Sequence, residues 1–71
     1  MAHVIAAELV GTVLKVVVAE GEKVAAGDTI VLLESMKMEI PVLTEFAGVV
    51  QDVAVRAGDN VHEGDVLAVV G

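Results

Sequence analysis

The sequence contains no cysteine, no tryptophan and no tyrosine, and it has a single phenylalanine, Phe46, and a single proline, Pro41, in 71 residues. Without thiols there is no disulfide to staple a small fold, no thiolate metal site and no cysteine nucleophile. The two histidines, His3 and His62, are far apart in sequence and form no ligand pair by spacing, so no metal site and no catalytic residue is expected. Basic residues are also scarce: 4 Lys and Arg stand against 11 Asp and Glu, for a formal charge of −7. Such a chain has no cationic stripe to neutralise phosphates and no series of rings to stack bases, which excludes nucleic acid as a partner. Charges interrupt every apolar run well short of the roughly 18 residues a membrane span needs. The opening MAHVIAAELV lacks the cationic and long apolar regions of a secretory signal, so the expected protein is soluble, monomeric and cytoplasmic.

What the chain does have is valine, and a repeat. Seventy-one residues make one domain, 1–71, near the lower size limit for folding without a staple, so the core must come from aliphatic packing. The stretch GTVLKVVVAEGEKVAAGDTIVLLE, 11–34, aligns without a gap on GVVQDVAVRAGDNVHEGDVLAVVG, 48–71, and eight of the 24 positions are identical. Composition alone would give roughly three, so the halves are related. Extended backwards, the copies occupy 2–34 and 39–71 and leave Ser35-Met36-Lys37-Met38 between them.

Each half reads as β structure. Val16 and Val18 alternate with Lys15 and Val17, and Val53 and Val55 do the same in the second copy. Both halves then carry G-x-x-V-x-x-G-D, at 21–28 and 58–65, where glycine and acidic residues mark turns. TIVLLE, 29–34, and VLAVV, 66–70, have the composition of buried strands, and Pro41 belongs near a strand start or on a sheet edge. The expected fold is all-β: a small sandwich or flattened barrel of six to eight strands, in which the two halves supply facing sheets and meet through a pseudo-two-fold axis.

Strands ending at Glu34 and restarting at Glu39 leave four residues to reverse the chain, which predicts a hairpin with Lys37 at its exposed tip. The bland interpretation is an edge lysine that discourages aggregation. Met36 and Met38 argue against it, because hairpin tips normally take Gly, Asn, Asp or Ser. Ser35 has no neighbouring histidine to activate it, the glycines are not spaced as a phosphate loop, and Asp59, Asn60, Glu63 and Asp65 miss the spacing of a calcium loop. An enzyme is therefore not expected.

The run E-S-M-K-M-E-I, 34–40, resembles the M-K-M signature of biotinyl domains, and the repeat resembles the biotinyl/lipoyl attachment fold over essentially the whole chain. The length is similar to that of small free-standing biotin attachment proteins. The resemblance implies a barrel-sandwich hybrid of two four-stranded antiparallel sheets. It implies that Lys37 is the covalent biotin acceptor, through an amide, and that Met36 and Met38 are flanking recognition residues. A biotin protein ligase would attach the cofactor. The carrier would then move a biotin-borne carboxyl group between biotin carboxylase and carboxyltransferase or decarboxylase components. Lipoyl domains usually carry an acidic residue before the lysine, where this chain has Met36, so biotin is favoured over lipoate. A lipoyl carrier and an unmodified β-domain scaffold stand as the alternatives. Two features depart from the family pattern: AAELVG, 6–11, replaces a proline-containing stretch, and the ungapped repeat leaves no room for a protruding thumb.

Amide formation needs a neutral amine, whereas exposed lysines are almost wholly protonated near neutral pH. Glu34 and Glu39 would favour the charged form if they reached Lys37, so deprotonation belongs to the ligase. Their simpler role is to keep the strand ends soluble.

Overall fold

A computed structural model describes residues 2–71. None of these is helical, so no helix is long and apolar enough to cross a membrane. Eight strands follow one another: β1 (His3–Ala6), β2 (Gly11–Val16), β3 (Lys23–Val24), β4 (Thr29–Ser35), β5 (Met38–Leu43), β6 (Gly48–Val53), β7 (Asn60–Val61) and β8 (Val66–Val70). They form two four-stranded antiparallel sheets, ordered β1-β8-β6-β3 and β5-β4-β2-β7. This is the two-layer all-β architecture expected from the valine pattern.

The distribution of the halves differs from expectation. The halves do not supply one sheet each. Both sheets take two strands from residues before Met36 and two from residues after it, because the chain changes sheet at almost every connection. Only β4 and β5 are consecutive strands that pair with one another. A valine repeat reports which residues are buried, whereas sheet membership depends on which strand each backbone hydrogen-bonds, and each half satisfies its edges with the other.

The repeat extends to irregular features. In the β2–β4 ladder, register slips between Val13 and Lys15; in the β6–β8 ladder it slips between Val50 and Asp52, at the matching place in the second copy. Each slip is a bulge that bends and twists its strand, as closing two small sheets on one core requires. The core is aliphatic, with Val13, Ile30, Val31, Leu33, Val50, Leu67 and Val70 all at most 1% exposed. β2 stops at Val16, so Val18 is buried from the segment that follows the strand rather than from its face.

Four turns punctuate the chain by one device. In A-E-G-E (19–22), A-A-G-D (25–28), R-A-G-D (56–59) and H-E-G-D (62–65), the fourth amide donates to the first carbonyl over 3.0–3.1 Å. The third residue is glycine with φ between 87° and 97°, the conformation a type II turn demands. The acidic side chain then accepts from the first amide, with Glu22 on Ala19, Asp28 on Ala25, Asp59 on Arg56 and Asp65 on His62. Four of the chain's carboxylates therefore serve its own backbone. Pro41 lies on the edge strand β5, where a missing N–H costs least.

Candidate functional site

The β4–β5 hairpin is the longest ladder among the described residues, with six paired positions from Thr29–Leu43 to Ser35–Met38, the five from Val31–Val42 onward running to the tip without a register shift. It closes two residues sooner than the repeat suggests. Strand pairing runs through Ser35 and Met38, which leaves Met36 and Lys37 as the whole loop. Both have positive φ, 53° and 63°, as a type I′ turn requires. Asn-Gly is the usual occupant of such a turn, because L-residues with a Cβ pay about 1–2 kcal/mol each in the left-handed region. Here that cost falls on Met36 and Lys37, two of the three residues of the M-K-M pattern.

The base of the hairpin is fixed from the side. Ser35 Oγ donates to the carbonyl of Val10 over 2.8 Å, tying the end of β4 to the segment before β2. At Gly11 the two backbones approach so closely that a Cβ would lie 2.7 Å from the carbonyl oxygen of Glu34. Neither contact has a signal in the sequence. Gly11 stands out only as the first residue of the repeat, and Ser35 falls inside the unrepeated joint, where no pattern assigns a partner.

At the tip, Met36 is 87% exposed and Met38 58%, and Lys37 between them is exposed as well. Glu34 and Glu39 stand opposite one another across the ladder, below the tip. Among the described residues neither forms an ion pair with Lys37, and no side chain accepts a hydrogen bond from its amine. A rigid ladder thus carries a free primary amine with an apolar thioether on each side, and no base to activate it. Such an arrangement can accept a group from another protein's active site and hold it on a tether.

Elsewhere the polar groups have local roles. Thr44, 1% exposed, donates through Oγ1 to the Phe46 carbonyl and accepts from the Phe46 amide. His3 stacks on Phe46 with ring centroids 3.6 Å apart. Thr12 bonds to Asn60 across the β2–β7 pair. Among the described residues no three His, Asp or Glu side chains converge as a metal site would need.

Comparison with known proteins agrees with this geometry. A family model described as biotin-requiring enzyme matches residues 2–70. A biotinylated protein TB7.3 homolog of Mycobacterium leprae is 54% identical over 70 residues, which cover 99% of either chain. Among solved structures, the urea carboxylase of Kluyveromyces lactis superposes on all of this chain with a TM-score of 0.94 and 35% identity, although the match spans only 6% of that enzyme. The lipoyl domain of the 2-oxoglutarate dehydrogenase complex from Azotobacter vinelandii matches 87% of this chain and 78% of its own, with a TM-score of 0.74 and 32% identity.

Proposed function

We propose a specific role for a chain that belongs, by sequence and fold, to the biotin- and lipoyl-attachment family: it is a non-catalytic biotin carrier that receives biotin on Lys37. The observation that carries this reading is the position of Lys37 in the chain's tight β-hairpin, in a two-residue turn between two exposed methionines. The similarity to a small biotinylated protein over nearly its full length supports biotin as the cargo. The similarity to part of a urea carboxylase supports service to a biotin-dependent carboxylase or decarboxylase.

The residues present fit a covalently tethered cofactor. Lys37 Nζ would hold biotin through an amide to its carboxyl carbon; the group that activates that carboxyl would leave as the C–N bond forms, and the amine's proton would pass to a base of the biotin protein ligase. That base must come from the ligase, since no acceptor of this chain contacts the amine. When bound, biotin supplies the chemistry of carrying a carboxyl group, while the chain supplies position and reach. The six-rung ladder and the Ser35–Val10 bond hold the base still, and the lysine side chain lets the tip swing between biotin carboxylase and carboxyltransferase sites. Holding carrier and enzymes in one assembly makes each visit effectively intramolecular. Met36 and Met38 offer apolar contact surface to whichever enzyme docks on the tip. Loss of the ammonium makes the chain one charge more acidic than its formal −7, and long-range attraction then favours basic docking faces.

The test is the intact mass after incubation with biotin protein ligase, ATP and biotin, alongside Lys37→Arg and a lipoate ligase control. One biotinyl addition that disappears in the variant is expected. Lipoylation without biotinylation would assign the lipoyl role, and neither modification would leave an unmodified scaffold.

A further inference from the structure

The chain offers an oxidant few targets. Cysteine, tryptophan and tyrosine are absent, and apart from Met1 the only sulfur atoms are those of Met36 and Met38. Methionine usually fills gaps in a core, yet these two are 87% and 58% exposed and flank a single lysine. We propose that Met36 and Met38 form a reversible oxidation site that governs whether an enzyme can engage Lys37; this rests on the carrier reading above.

The chemistry needs only a peroxide and, for the return, a dithiol. Peroxide transfers one oxygen to the thioether: its O–O bond breaks, an S=O bond forms, sulfur is oxidised and water or an alcohol leaves. A methionine sulfoxide reductase reverses the change, returning the thioether and water while two thiols become a disulfide. The lysine amine is not consumed in either direction.

Oxidation changes recognition and not the fold. Both side chains lie outside the buried core, and neither takes part in a side-chain hydrogen bond among the described residues. The backbone that presents Lys37 is therefore the same in both states. What changes is the surface an enzyme must cover, since a sulfoxide is a strong acceptor that loses its water when an apolar pocket closes over it. The two exposed methionines flank Lys37 in the chain, so an enzyme that covers the tip has thioether surface on either side of the amine to accommodate.

The experiment treats the whole protein with hydrogen peroxide and locates the sulfoxides by peptide mapping, since cleavage at Lys37 separates Met36 from Met38. Initial rates of biotinylation by biotin protein ligase are then compared before oxidation, after it, and after treatment with both stereospecific methionine sulfoxide reductases. The expected result is oxidation of both methionines as fast as in a short unstructured peptide. The rate should fall by roughly tenfold or more, equivalent to about 1.4 kcal/mol, and recover after the reductases, with an unchanged melting temperature. An oxidised protein that is biotinylated as fast as the reduced one overturns this inference and leaves the carrier reading standing. So does protection of the two thioethers from peroxide. Failure of the untreated protein to be biotinylated overturns both.

Discussion

Replacing Met36-Lys37 by Asn-Gly should make the protein more stable while removing the Lys37 amine. Both turn residues have left-handed backbones, φ 53° and 63°, at about 1–2 kcal/mol per residue with a Cβ. Glycine at 37 removes that cost but returns about 0.5–1 kcal/mol by loosening the unfolded chain. Asparagine at 36 recovers part of its share, because its side chain tolerates the left-handed region. The net gain is about 1–2 kcal/mol, and with about 4–8 °C per kcal/mol for a domain of this size it raises the melting temperature by about 4–16 °C. Nothing offsets it, since Met36 and Lys37 are exposed and contribute nothing to the core. Thermal melts by circular dichroism, with urea titrations to show an unchanged m-value, measure the effect. Met36→Asn alone should give a smaller gain and keep Lys37. An equal or lower midpoint for the double variant would refute the claim that the tip is held against its own conformational preference.

Other outcomes follow from the same geometry. Gly11→Ala puts a Cβ 2.7 Å from the Glu34 carbonyl oxygen; parting the strands there should cost about 1–3 kcal/mol, read as a lower urea midpoint. Thr44→Val leaves the Phe46 amide without its acceptor, for a loss of about 1–3 kcal/mol in the same titration. Asp28→Ala removes the acceptor of the Ala25 amide and should cost about 0.5–1.5 kcal/mol. Glu63→Ala makes the same charge change without breaking a turn bond, and should stay within about 0.5 kcal/mol. Lys37→Arg should abolish biotinylation while the melting temperature stays put, which separates loss of the acceptor from loss of the fold.

The turns and the core were legible because each depends on neighbours in sequence. Gly21, Gly27, Gly58 and Gly64 sit where the chain must adopt positive φ, and each acid that follows bonds to an amide three residues back. Ile30, Val31, Leu33, Leu67 and Val70 are buried where the apolar runs 29–34 and 66–70 place them. The interleaving of the halves was not legible, because burial is a property of a residue whereas sheet partnership belongs to a pair. The loop is two residues shorter than strand ends at Glu34 and Glu39 predict, since Met and Lys are unusual in a type I′ turn and give no hint that pairing continues through Ser35 and Met38. The Ser35–Val10 bond spans 25 residues and has no counterpart in composition or spacing.

The weaving of strands between sheets also orders events in time. The ladder that holds the tip belongs to a sheet whose far edge is β7, Asn60–Val61, and the opposing sheet places β8, Val66–Val70, between β1 and β6. A ribosome therefore delivers Lys37 well before it delivers the strands that complete both layers beneath it. An emerging chain has the lysine but not the platform, so an enzyme that reads the shaped hairpin rather than the bare sequence acts only on finished molecules. On the proposed carrier role, cargo would then be loaded after assembly and truncated chains passed over.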